Sequence, residues 1–178
     1  FGIIFNPVSI EKLLSRAINQ VEFTEADIFF HNERWHCFEV HSDVSYANKE
    51  VCLAILNGML QHLHDQLASA THIILTYGTS WVYRHKASQL VVANCHKVPQ
   101  VQFDKEILSI DTIAKSIQNT IATIRKVNPN GLILFTVSPV RHSKDGFVEN
   151  QRSKAHLISA IHQILNLESQ ALKYFPSY

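Results

Sequence analysis

The features that this sequence has little of exclude several classes of protein. Its 178 residues include only three cysteines, Cys37, Cys52 and Cys95, without CxxC spacing. A disulfide-rich secreted domain is therefore not indicated, and a reducing compartment with a cytoplasmic location is favoured. No apolar run of about eighteen residues occurs, so we expect no transmembrane helix. No basic segment followed by an apolar run opens the chain, so no signal peptide is visible.

An excess of one charge and flexible spacers are missing as well. Sixteen basic residues against fifteen acidic ones leave a net charge of +1, so neither nucleic acid nor an anionic membrane is an expected partner. Five glycines and five prolines stand singly, and no repeat or linker divides the chain. Hydrophobic residues make up 46% and charged residues 17% of the sequence, which is typical of a well-filled globular core. We therefore expect one domain over residues 1–178.

The apolar residues that are present alternate between two periods. Three segments that begin near Lys49, Ile110 and Leu157 show the 3–4 spacing of amphipathic helices, with Asn48 as the cap of the first. Ser9 is the expected cap of a shorter helix near the start. Continuous apolar runs at residues 72–77 (HIILTY) and 132–137 (LILFTV) are typical of buried parallel strands. This alternation predicts an α/β fold, a three-layer α/β/α sandwich around a mostly parallel sheet.

Polar residues follow each of the two predicted parallel strands. Residues 78–81 (GTSW) come after the first strand, and residues 138–142 (SPVRH) come after the second. In open α/β sheets, ligands bind beyond the carboxyl ends of the strands, so these segments are the expected site. The chain from Thr79 to about Ser109 is predicted to be a long loop, of a length that favours a functional wall or lid.

Three separated motifs in the same region resemble a known family. They are TYGTSWVYR at residues 76–84, VANCHKVP at residues 92–99 and FTVSPVRH at residues 135–142, followed by Asn150 and by SKA at residues 153–155. Over essentially the whole chain this pattern resembles the GSCFA-domain family, which is related to the SGNH (GDSL-type) hydrolases. The resemblance implies a serine esterase or acyl hydrolase that acts on a small-molecule ester or an acylated carbohydrate, without a cofactor.

The same resemblance implies where the catalytic groups lie. Such enzymes use a serine in a Gly-Ser-Cys-Phe-Ala signature and an Asp-x-x-His pair, and neither motif occurs in these residues. No catalytic residue is therefore assigned in this chain. We expect its sandwich to be incomplete at both ends, with the signature before Phe1 and the Asp-x-x-His pair after Tyr178.

The oxyanion-binding part of the site does have counterparts here. Ser80 stands where the related hydrolases carry an asparagine, and Asn94 is an alternative donor from the following loop. The candidates fall into an oxyanion group and a pocket-lining group. The oxyanion candidates are Gly78, Thr79, Ser80 and Asn94, and the pocket-lining candidates are Trp81, Tyr83, His96, Arg141, His142 and Lys154.

Purely structural roles for these residues are an alternative interpretation. Gly78 can serve a tight turn, and the two aromatic residues can pack the loop onto the sandwich. Cys95 beside His96 is a weak signal for a thiol nucleophile, because adjacent extended residues point apart. A zinc site built from His36, Cys37 and His41, with His96 or His142, lacks ligand spacing, so no metal is expected. The competing function is a non-catalytic carbohydrate- or partner-binding module on the same fold.

Overall fold

A computed structural model describes residues 1–141, 145–167 and 171–178. Helices and strands alternate along these described residues. The helices are α1 (Pro7–Ile18), α2 (Lys49–Ser69), α3 (Ile110–Val127) and α4 (Phe147–Leu167). The strands are β1 (Ile28–His31), β2 (Arg34–Cys37), β3 (His72–Tyr77), β4 (Trp81–His85), β5 (Val91–Val92), β6 (Phe103–Ile107), β7 (Leu132–Val137) and β8 (Leu172–Phe175).

The helix starts follow from their capping residues. Asn48 caps α2 as predicted, since its side-chain oxygen accepts a hydrogen bond from the backbone N–H of Val51 at 2.8 Å. The prediction of Ser9 as the cap of α1 is wrong. Asn6 caps that helix by accepting from the N–H of Ser9 at 2.8 Å, and Pro7 takes the first helical position, where a missing N–H breaks no helical bond.

The parallel sheet predicted from the two apolar runs is present. Its order is β3-β7-β8, with both pairs parallel, and its register places Ile73 opposite Ile133 and Ile133 opposite Leu172. Helix α3 lies between β3 and β7 in the chain, and α4 lies between β7 and β8. A parallel sheet flanked by helices is an α/β sandwich, so the predicted fold class is confirmed.

One face of this sheet forms the main core. Alternate residues of β3 and β7 are buried there, and side chains of α1, α3 and α4 belong to the same cluster. Phe135 is fully buried and stacks on Tyr77 with ring centroids 6.0 Å apart. Burying one such side chain contributes about 1.5–3 kcal/mol. This packing fixes the β3 and β7 strand ends relative to α4.

The opposite face of the sheet differs at β3. His72, Ile74 and Thr76 alternate with the buried residues and are exposed, Ile74 to 63%. Phe175 of β8 is exposed to 58%. Parallel sheets are usually covered on both faces. The described residues therefore leave apolar surface on this side.

The predicted long loop after Thr79 is wrong, because it contains a second sheet. Strands β4, β5 and β6 pair antiparallel in the order β5-β4-β6. The register places Tyr83 opposite Lys105 and Trp81 opposite Ile107. Strand β6 includes three consecutive charged residues, so it shows no apolar run. This second sheet therefore follows directly after the carboxyl end of β3.

A further hairpin, β1 with β2, closes a second core against α1 and α2. Cys37 and Cys52 are buried there as free thiols. Burial raises the pKa of Cys37 to about 12, so this thiol stays protonated at neutral pH. Within the described ranges, no helix combines the length and the apolar character needed to cross a membrane.

Candidate functional site

The candidate site lies where β3 and β7 end. Tyr77 pairs with Val137 at the last register position, so Gly78 and Ser138 follow side by side at the carboxyl edge. The N–H of Ser138 donates to the carbonyl oxygen of Tyr77 at 2.9 Å. The two polar segments that the sequence singled out thus meet at the edge where parallel sheets bind ligands.

A buried lysine holds these strand ends together. The ammonium of Lys154 donates to the carbonyl oxygens of Gly78 at 2.6 Å and Ser138 at 2.7 Å. Its nitrogen lies 5.4 Å from the centroid of the Tyr178 ring. Lys154 is only 1% exposed, and burial lowers its pKa to about 8 because the charged form loses hydration. Lys154 therefore contacts the backbone of both strand ends and does not line the cavity described below.

The neighbouring serine fixes the loop after β3. The hydroxyl oxygen of Ser153 accepts from the N–H of Ser80 at 2.8 Å and lies 3.1 Å from the hydroxyl of Thr79. The hydroxyl of Ser80 donates to the carbonyl oxygen of Ser153 at 3.1 Å, and Ser80 is fully buried. Consecutive residues of α4, Ser153 and Lys154, thus hold residues 78–80 in one conformation.

The backbone N–H groups of this loop point at oxygens within the protein. Those of Gly78 and Thr79 both donate to the carbonyl oxygen of Phe5, at 2.7 and 3.2 Å. A Cβ at position 78 would lie 3.1 Å from the Phe5 ring, a tight contact, so this close approach favours glycine. Two successive N–H groups that converge on one oxygen are arranged like the donors of an oxyanion hole, with the Phe5 oxygen as acceptor.

A cavity of about 190 Å³ lies beside this loop. It is lined by Phe5, Thr79, Trp81, Tyr83, Lys105, Asp145, Asn150 and Ser153. Of the residues singled out from the sequence, Thr79, Trp81 and Tyr83 are in this wall.

Four polar wall residues were not among the sequence candidates. Lys105 reaches the wall only through the register of β6 on β4, which no local pattern indicates. In the sequence Asp145 forms an H-x-x-D pair with His142, but the Asp145-Gly146 pair is more typical of a turn. Asn150 and Ser153 stand in the family-like motifs, which was the one signal available for them. They enter the wall from the first turns of α4.

Two other predicted residues lie elsewhere. Asn94 and His96 belong to the loop between β5 and β6, where the side-chain oxygen of Asn94 accepts from the N–H of His96. The ring of His96 is buried, with its Nδ1 3.0 Å from Nδ1 of His36 and its Nε2 3.1 Å from the carbonyl oxygen of Val40. Burial lowers the pKa of His96 to about 4. These contacts fasten the loop to β2 and do not border the cavity.

Of the other two pocket-lining candidates, Arg141 is exposed and is not part of the wall, and His142 lies outside the described residues. Burial raises the pKa of the Cys95 thiol to about 11, which disfavours the thiolate that a cysteine nucleophile needs. Although His36 and His96 touch, the described part of the chain holds no group of three or more His, Cys, Asp or Glu side chains suited to a metal ion.

Comparison with known proteins bears on the whole chain. No curated protein and no solved structure matches it. The profile of the GSCFA family matches residues 1–178. The chain therefore belongs to the GSCFA family.

Proposed function

We propose that these residues form the substrate-binding part of an ester hydrolase of the SGNH type that acts on small acyl esters, including acylated carbohydrates. One observation carries the proposal. A cavity lies at the carboxyl edge of the parallel sheet, and its lining includes Thr79, Ser153, Trp81 and Tyr83. This is the edge at which α/β sheets bind ligands.

The reaction in this proposal is acyl transfer through serine. The serine oxygen adds to the ester carbonyl carbon while its proton passes to a histidine, which gives a tetrahedral oxyanion. The bond to the alcohol then breaks, the histidine proton passes to the leaving oxygen, and water repeats the sequence on the acyl-enzyme. The proposed reaction therefore requires a serine, a histidine and an aspartate in addition to the residues described here.

The residues of this chain bind the ester and stabilise its oxyanion. The hydroxyl of Thr79 borders the cavity and supplies one donor. The N–H groups of Gly78 and Thr79 supply two more when the substrate oxygen replaces the Phe5 carbonyl. Lys154 assists them, since its bond to the Gly78 carbonyl polarises the peptide group whose N–H is that of Thr79.

The test is hydrolysis by the full-length protein, with p-nitrophenyl acetate and acetylated sugars as substrates. The matched control carries alanine in place of the signature serine. We expect turnover in the wild type and its loss in the control. An absence of serine-dependent turnover on these and on longer acyl esters would overturn the proposal.

A non-catalytic binding module is the second candidate function. The N–H groups of Gly78, Thr79 and Ser80 are all bonded inside the protein, which suits a site that holds a ligand without stabilising an oxyanion. Saturable binding of a sugar or its ester without turnover in the same preparation would favour this candidate.

A further inference from the structure

The aromatic wall of the cavity holds an ammonium group in this structure. Lys105 stands opposite Tyr83 across β4 and β6. Its ammonium nitrogen lies 5.0 Å from the centroid of the Trp81 ring and 5.9 Å from that of Tyr83. Both distances are within the range of about 6 Å over which a cation is attracted to an aromatic face.

A carboxylate completes this arrangement from a different part of the chain. Asp145, just before α4, forms an ion pair with the Lys105 ammonium. The side chains of Lys105 and Asp145 are both about 30% exposed, so water reaches the pair and its strength is modest. Two π faces and one carboxylate surround one ammonium group, which is the combination that recognises ammonium ligands.

The side chains of this cluster, Trp81, Tyr83, Lys105 and Asp145, border the cavity described above. All of them line the cavity of about 190 Å³, which suits a small group and is smaller than the usual site of a drug-sized ligand. The wall thus forms an ammonium site that the protein's own lysine fills.

We propose that this cavity binds a quaternary or protonated ammonium group, which replaces the Lys105 ammonium against Trp81, Tyr83 and Asp145. The proposal deepens the proposed function and rests on it for the substrate class, which becomes esters with an ammonium group in the alcohol or acyl part. The binding step itself requires no hydrolysis. An anionic ligand is disfavoured because the Asp145 carboxylate already neutralises Lys105 and would repel it.

The test compares choline with 3,3-dimethylbutan-1-ol, its uncharged carbon isostere, by calorimetric titration of the full-length protein. We expect choline to bind about tenfold more tightly than the isostere, because only the charged ligand gains from the π faces and the carboxylate. Lys105→Met vacates the site and is expected to tighten choline binding several-fold, whereas Asp145→Asn weakens it.

The chain offers a matched control on the same small sheet. Lys86 and Asp104 form an ion pair at 3.4 Å and do not line the cavity. Lys86→Met and Asp104→Asn are therefore expected to leave choline binding unchanged. Trp81→Leu removes one aromatic face and is expected to weaken choline binding, whereas Trp81→Phe keeps an aromatic face and is expected to retain most of it.

The outcomes separate this inference from the proposed function. Equal binding of choline and its isostere, or no binding of choline at millimolar concentration, would overturn the ammonium site. Acetate binding that Lys105→Met abolishes would overturn it in favour of an anion site. Choline binding in a protein that hydrolyses no ester would support the ammonium site and overturn the esterase proposal. Ester hydrolysis by a protein that binds choline and its isostere equally would support the esterase and overturn the ammonium site.

Discussion

The ammonium group of Lys154 is buried, and burial disfavours its charged form. Its ammonium is held by two carbonyl oxygens and a ring, and no carboxylate of the described residues offsets the loss of hydration. The unfolded chain leaves the same group in water with its ordinary pKa of 10.5. Between pH 8 and pH 10.5 the unfolded state therefore binds more protons at Lys154 than the folded state does. Stability from this group rises with pH across that window.

We expect Lys154→Met to lower the free energy of unfolding, since it leaves the carbonyl oxygens of Gly78 and Ser138 without their donor. The cost is about 1–3 kcal/mol near pH 7.5 for a buried group left unsatisfied. The stability difference between wild type and variant is expected to grow with pH, by at most about 1.4 kcal/mol per unit. Denaturant unfolding from pH 7.5 to pH 10 measures both effects.

The control for this prediction is Lys115→Met, because Lys115 is exposed on α3. We expect this change to alter stability by less than about 0.5 kcal/mol at any pH. A stability difference for Lys154→Met that is absent, or that falls as the pH rises, would contradict the account of this residue.

At the scale of elements, the buried ring of His96 helps to hold the loop between β5 and β6 in place. His96 and Lys97 both have left-handed backbone conformations, with φ of 50° and 60°, which are costly for residues other than glycine. The buried contacts of His96 with His36 and Val40 hold this conformation. Burial lowers the pKa of this ring, so folding favours its uncharged form.

Acid is expected to weaken this element. The pKa of His96 falls from 6.5 to about 4 on folding, so the unfolded state binds more protons between those values. Stability from His96 is thus lost as the pH falls through that window, by at most about 1.4 kcal/mol per unit. His96→Asn should reduce the slope of unfolding free energy against pH from 7 to 4.

His62→Asn is the control, because His62 is exposed on α2. This change is expected to leave the acid slope as it is in the wild type. If His96→Asn unfolds with an unchanged acid slope, burial of that ring does not set the acid sensitivity of the loop.

Periodicity predicted the elements that carry a buried apolar run or stripe. The runs HIILTY and LILFTV became β3 and β7, and the 3–4 stripes became α2, α3 and α4. Strand β6 was missed because three charged residues occupy its centre, and its pairing with β4 comes from tertiary contacts alone. The same distinction applies to the residues that line the cavity. Trp81 was predicted because it follows a parallel strand, whereas Lys105 lies there only through the register of β6 on β4.

At the scale of the whole molecule, the two faces of the parallel sheet differ in what they contribute. Ile133 of β7 is fully buried against the helices, whereas Ile74 of β3 is 63% exposed on the other face. The transfer and cavity costs of truncation apply only to the buried side chain.

We expect Ile133→Ala to cost about 2–5 kcal/mol of unfolding free energy. Ile74→Ala, the matched change, is expected to cost less than about 1 kcal/mol, mainly through lower strand propensity. Denaturant unfolding of the two variants gives the comparison. Equal losses in the full-length protein would mean that the second face is covered there as firmly as the first.

The central claim is that esters bind at the loop of residues 78–80 and its cavity. The most direct measurement is kcat/KM for p-nitrophenyl acetate in the full-length protein with Thr79→Val, against Thr71→Val at an exposed position. The account predicts a loss of about 10²-fold for Thr79→Val, as for removal of one oxyanion donor. It predicts no change for Thr71→Val, and equal activity of both variants and the wild type would contradict it.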